Sequence, residues 1–236
     1  MSIPAIRFVT PKMLEAFLPF LVNPMDRALL VLAREGLRAE DIAGLTIEDV
    51  AVEYNTINVP RKSESEVRVQ LLDVEPRTVQ LCVKAQKQTR YSAGLLKGRR
   101  APEAELVKSA FIVRPLLADG AAPYLTKSAV QQRASALLSP ENTGLEIHGG
   151  ADAVRIGKIL STLYRAEQDG EEMFERCLQF ICDKFYFSAL RPPAAQKELG
   201  HLVTEGVYQK YKNEFQHVFE NERQLIAHMK AAASAI

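Results

Sequence analysis

In the run VLAREGLRAEDIAGLTIEDV, residues 31–50, Arg38 stands between a helix that stops at Gly36 and a segment opening with Glu40 and Asp41. A helix N-terminus offers N–H groups with no intrahelical partner, so an arginine at that corner is suited to holding a phosphate. The same corner suits an ion pair with Glu35, three positions before it as for charges that meet along a helix, or with Glu40, two positions after it. Two further groups of positive charge stand out. Arg61, Lys62 and Arg68 flank a polar turn, and Lys97, Arg99 and Arg100 share the basic loop 92–106. Such groups suit contact with the backbone phosphates of a duplex, which position a protein without reading its sequence.

Other chemistries lack their residues. The four histidines show no HExxH or zinc-ligand spacing, and the three cysteines form no CxxC. No metal and no cofactor are expected, and the cysteines are read as reduced and mostly core. With 30 Lys+Arg against 29 Asp+Glu the formal net charge is +1, so a nucleic-acid surface must be a local patch. That balance also suits a helical interaction protein with no affinity for DNA. The composition, 47% hydrophobic, suffices to bury a core. No apolar run approaches membrane-spanning length and no signal peptide opens the chain, which predicts a cytoplasmic protein without a membrane partner.

These residues need elements to position them. Thr10 and Pro11 predict a capped helix over 10–21. Asn23 and Gly36 bound a second helix. The acids at 40 and 41 open a third, over 39–50. The period then changes to two: TINVP and EVRVQLL flank the turn RKSES and predict a β-hairpin, with Pro60 marking an edge or a strand end. Helix returns over 75–91. SAFIVRPLL is read as a short strand, and Thr126 caps a helix over 126–139. Two more helices precede Pro192-Pro193, and a long helical stretch interrupted at Gly200 or Gly206 closes the chain. The expected fold is α+β, mainly α-helical, with a small antiparallel hairpin or sheet, in one domain over 1–236.

The stretch from Arg27 to Leu72 resembles the opening of the tyrosine recombinase (phage integrase) catalytic domain. Its matching residues are Gly36-Leu37-Arg38, then Asp41-Ile42, Leu45, Glu48-Asp49-Val50, and Lys62 at the hairpin turn. GAAPYLTKSAVQQRASALL resembles the helix before the family's second motif, ADAVRIGKILSTL the helix bearing its second arginine, and ELGHLVTEGVYQKY its terminal motif. The order holds from about residue 10 to about 215. The resemblance implies site-specific recombination of double-stranded DNA without metal, through a 3′-phosphotyrosine intermediate. It assigns the phosphate clamp to Arg38 and Arg155 and leaving-group protonation to Lys62. His201 would assist proton transfer, and the nucleophile would be Tyr208 or Tyr211. A phenol with a pKa of about 10 is a weak nucleophile, so the clamp must stabilise developing charge. The two tyrosines are three apart and share a helix face, which leaves the choice open. Assembly as a homo-oligomer on DNA is also implied, with the amphipathic tail 216–236 packing on a neighbour or folding back on its own domain.

The chain departs from the pattern at three points. Asp152 stands where the family usually has a histidine three residues before the second arginine, and a carboxylate there would repel the phosphate. His148 could replace it only if its loop bends. The segment between Arg155 and His201 holds an added helix, GEEMFERCLQFICDKF. The pattern begins near residue 10, so no separate N-terminal DNA-clamping domain is expected. The alternative function on the same scaffold is a DNA-binding regulator that has lost the chemistry.

Overall fold

The structure is a computed structural model that describes residues 5–62, 67–99, 101–118, 121–185 and 193–235. Helix α1 (Pro11–Phe17) begins as predicted: the Thr10 hydroxyl accepts a hydrogen bond from the Met13 N–H at 3.2 Å, and Pro11 takes the first helical position. Helix α2 (Pro24–Arg34) is a core helix whose Leu29, Leu30 and Leu32 are fully buried. It ends at Gly36, whose φ of 107° is left-handed backbone open to glycine at no steric cost. There the N–H groups of Gly36 and Leu37 turn back to the carbonyls of Ala33 and Leu32, at 3.0 and 3.1 Å.

Helix α3 (Ala39–Gly44) is shorter than the predicted segment over 39–50. Leu45 is extended, and the Asp49 carboxylate accepts from the Thr46 N–H at 2.9 Å, starting a separate turn at Ile47–Asp49. The chain then enters an antiparallel sheet of β1 (Val50–Ala51), β2 (Thr56–Lys62) and β3 (Val67–Asp73), in the order β1-β2-β3. Ile57, Val59 and Leu72 are buried beneath it. Pro60 is tolerated although β2 is central, because β1 pairs only with Thr56 and Ile57 and leaves that side of β2 without a neighbour at Pro60.

Helix α4 (Pro76–Lys87) packs on α2. The segment read as a basic loop instead forms a second small sheet from β4 (Arg90–Ser92) and β5 (Glu103–Glu105), with Leu96 buried between them in sequence. SAFIVRPLL makes only isolated bridges, Thr46 to Phe111 and Leu106 to Leu116, in place of the predicted strand. Helices α5 (Lys127–Leu137), α6 (Pro140–Thr143), α7 (Gly150–Gln168), α8 (Glu171–Phe185), α9 (Pro193–Glu220) and α10 (Glu222–Ser234) follow. α9 runs through Gly200 and Gly206 without the expected break.

Helix α7 sits where two cores meet. The Val9 N–H donates to the Ala153 carbonyl at 3.0 Å, and a Cβ on Gly157 would lie 2.2 Å from the Val9 oxygen, so the extended chain before α1 crosses α7 at backbone contact. One core joins α1, α2 and the first half of α7. The other gathers Phe8, Ile159, Leu160, Leu163, Leu178, Ile181, Tyr208 and Phe215 between α7, α8 and α9. The tail folds back: α10 packs on α1 and α6, burying Leu225, Met229 and Ala233, and the Thr10 hydroxyl donates to Glu222 Oε1 at 2.5 Å. The fold is therefore α+β, mainly α-helical, with a small antiparallel sheet.

Candidate functional site

The corner between α2 and α3 presents the Arg38 side chain, 45% exposed, to solvent. Its helix N-terminus is not open for an anion: the Asp41 carboxylate accepts the Arg38 backbone N–H at 2.9 Å and lies 3.3 Å from Nε. Glu40 Oε1 meets the guanidinium at 2.7 Å. Partial burial would lower the Arg38 pKa, but hydrogen bonds and charge from Asp41 and Glu40 outweigh it and raise it. Of the two ion-pair partners the sequence offers, Arg38 takes Glu40. Glu35 is held by Arg34 at 3.0 Å, the two buried together, and Arg34 also pairs with the more exposed Glu15 and Glu75.

Arg155, on the first half of α7, reaches the same corner. Its Nε donates to the Gly36 carbonyl at 3.2 Å. The structure thus brings together the two arginines that the sequence sets 117 positions apart (155 − 38). The first turns of α5 and α7 complete the surroundings. Lys127 Nζ lies 2.8 Å from Glu40 Oε2, and Gln131 Nε2 donates to the Gly149 carbonyl at 2.6 Å and reaches Asp152 at 3.5 Å. The Lys127 pKa is raised, first by its hydrogen bond to Glu40 and also by Asp152. Three cations, Arg38, Lys127 and Arg155, therefore share this surface with three carboxylates, Glu40, Asp41 and Asp152.

The terminal tyrosines lie elsewhere. Tyr208 is fully buried, and its hydroxyl donates to Glu167 Oε2 at 2.7 Å. Lys212 holds the other oxygen of Glu167 at 2.5 Å, and the Phe174 ring of α8 packs on the Tyr208 ring at 5.3 Å. Burial, then the Glu167 carboxylate, pushes the Tyr208 pKa well above the usual phenol value. Glu167 and Arg155 are twelve residues apart on α7, about 18 Å along the axis at 1.5 Å per residue. The structure does not bring Tyr208 to the arginine pair, and the added helix α8 is what covers it. Tyr211 is half-buried, with its ring edge-on to Phe8 at 5.4 Å. The neighbouring Val9 bonds to Ala153, two residues before Arg155. The Tyr211 hydroxyl makes no hydrogen bond among the described residues.

The remaining candidates divide. Register sets Lys62 opposite Val67 and Arg61 opposite Arg68 at the end of the hairpin. The side chains of Lys62, Arg61, Arg68 and His201 lie outside the described residues, as does Arg100 altogether. Lys97 is exposed. Arg99, expected on a DNA-facing loop, is engaged within the fold: it donates to Asn142 Oδ1 and the Glu141 carbonyl, each at 2.8 Å, tying its loop to α6. His148 does not replace the missing histidine. It lies 3.2 Å from Glu146 and lines a separate cavity of about 350 Å³ with Arg7, Glu214 and His217.

Sequence reasoning passed over Lys127, Gln131 and Glu167. Lys127 follows a helix cap and Glu167 ends a helix, and neither spacing signals its partner 87 positions (127 − 40) or 41 positions (208 − 167) away. Among the described residues no group of three His, Cys, Asp or Glu side chains is disposed to hold a metal ion, and no helix is long and apolar enough to cross a membrane.

The order of elements, the arginine corner and the hairpin are those of a tyrosine recombinase-type catalytic domain. The chain belongs to the family described as MrpR, C-terminal catalytic domain, which matches residues 8–211. Among solved structures it is similar to an integrase from mycobacterium phage Brujita, at 16% identity and a TM-score of 0.46, over 85% of this chain. The chain spans 58% of that integrase's length. No curated protein matches it.

Proposed function

We propose that this chain is a DNA-binding domain that grips duplex phosphates with Arg38 and Arg155 and does not cut the strand through Tyr208. The observation that carries this reading is the hydrogen bond from Tyr208 to Glu167, made at the edge of the second core and at the far half of α7 from Arg155. A nucleophile must reach within about 3–3.5 Å of the phosphorus it attacks. Tyr208 would have to leave α8, Glu167 and Lys212 to do so. Its raised pKa works against attack, since burial and a neighbouring carboxylate both disfavour phenolate. Asp152 adds negative charge where the family usually has a histidine.

Arg38 and Arg155 suit bidentate phosphate contact. Arg61, Lys62 and Arg68 on the hairpin and Lys97 in the following loop are the further cations this reading assigns to the DNA backbone. Fluorescence anisotropy of a labelled duplex tests it. Binding should weaken steeply with salt, survive Tyr208→Phe together with Tyr211→Phe, and fall at least tenfold on Arg38→Ala together with Arg155→Ala. Binding indifferent to both arginines would refute the assignment.

A second reading has one observation in its favour. Tyr211 is partly accessible, is not hydrogen-bonded among the described residues, and packs near the half of α7 that carries Arg155. On that reading Tyr211 is the nucleophile of an active recombinase, with Lys62 and His201 moving protons.

A further inference from the structure

Glu40 bridges two cations. Its Oε1 is 2.7 Å from the Arg38 guanidinium, and its Oε2 is 2.8 Å from the Lys127 ammonium. A carboxylate spanning two donors through two oxygens has the shape of the two non-bridging oxygens of a phosphodiester. Both cations remain open to solvent, with the Arg38 side chain 45% and the Lys127 side chain 69% exposed. The Lys127 ammonium is fixed at the start of α5, whose next turn is held to α7 by Gln131 bonding the Gly149 carbonyl at 2.6 Å. Lys127 is therefore carried by a helix anchored to the one bearing Arg155.

We infer that Lys127 is a third phosphate-binding residue of this site, and that Glu40 occupies the phosphate position until DNA displaces it. This rests on the DNA-binding reading given above. The consequence is a built-in competitor. Each DNA phosphate that engages Arg38 and Lys127 must first break two ion pairs to Glu40, and the freed carboxylate then turns into water. Glu40 thereby lowers affinity for any polyanion and favours one presented at close range with the right spacing. Ion pairs this exposed are weak, so the competitor is displaceable.

The test is the salt dependence of duplex binding, read by anisotropy on the full chain. Lys127→Gln should lower the slope of log affinity against log salt by about one, the release of one counterion. Lys230→Gln, an exposed lysine on α10, should leave the slope unchanged. Glu40→Gln should raise affinity several-fold, and that gain should shrink when Lys127→Gln is also present. Lys127→Arg should retain most of the wild-type slope, which separates a charge contact from a folding defect. An unchanged slope in Lys127→Gln, or no gain from Glu40→Gln, overturns this inference and leaves DNA binding standing. A wild-type chain that binds no duplex at low salt overturns the DNA-binding reading and this inference with it.

Discussion

Arg155 donates its Nε–H to the carbonyl of Gly36, at 3.2 Å, and so ties the first half of α7 to the turn that presents Arg38. Gly36 is buried, and a buried carbonyl needs a partner. The bond therefore does two things: it satisfies a helix C-terminus and fixes two guanidinium groups in one neighbourhood. Arg155→Ala should lower stability by about 1–3 kcal/mol, the cost of leaving a buried polar group unpaired. Arg155→Lys should recover part of the DNA affinity and little of the stability, since an ammonium cannot fork between a carbonyl and a phosphate. Chemical denaturation and anisotropy on the same samples separate the two effects.

Gly36 and Gly157 are constrained in different ways. At Gly36 the backbone is left-handed, and alanine there should cost about 1–2 kcal/mol. At Gly157 the obstacle is the Val9 backbone, which an added methyl would meet at 2.2 Å. Gly157→Ala should be the more damaging, because the extended segment before α1 must move off α7. The midpoints of thermal unfolding should rank wild type above Gly36→Ala and Gly36→Ala above Gly157→Ala.

The Tyr208–Glu167 contact predicts a pH dependence with a definite sign. The folded-state pKa of Tyr208 is raised above that of an unfolded phenol, about 10. Its contribution to stability is thus complete below pH of about 10 and is lost as the pH rises past that value. Glu167 behaves oppositely: burial alone would raise its pKa, but Lys212 and Tyr208 lower it, so its contribution fades as the pH falls through the carboxylate range. Tyr208→Phe should flatten the alkaline decline while leaving duplex affinity unchanged. A Tyr208→Phe variant that loses DNA binding without losing stability would contradict the placement of this tyrosine outside the site.

The arginine corner was readable because its signals are local: Gly36 ends a helix, two acids open the next, and alternation marks the hairpin. The environment of Tyr208 was not. Two tyrosines three apart on a helix look alike in sequence, and only the packing of α8 decides that one is buried on Glu167 while the other rests on Phe8. The bonds of Arg99 to α6 were not readable for a related reason. A basic triplet in a loop reads as a surface cluster, yet the carbonyl and amide of α6 that receive Arg99 lie more than forty residues on. Gly200 and Gly206 read as helix breaks, but two glycines cost only about 1 kcal/mol each in a helix interior. The packing of the long α9 outweighs that cost.

The C-terminal helix tests how far the tail belongs to its own domain. Met229 is fully buried where α10 lies on the domain. Met229→Ala should cost about 2–5 kcal/mol, visible as a lower unfolding midpoint at every protein concentration. A midpoint that instead rises with concentration, in wild type and not in the variant, would mean that the tail is shared between copies.

On the proposed function, this site holds a DNA phosphate and does not cleave the strand through Tyr208. A nicked duplex, whose departing short strand traps any covalent intermediate, examines it directly on a denaturing gel. A chain that binds the nicked duplex should yield no protein–DNA adduct attributable to Tyr208. An adduct formed by the wild-type chain and abolished by Tyr208→Phe alone would contradict it.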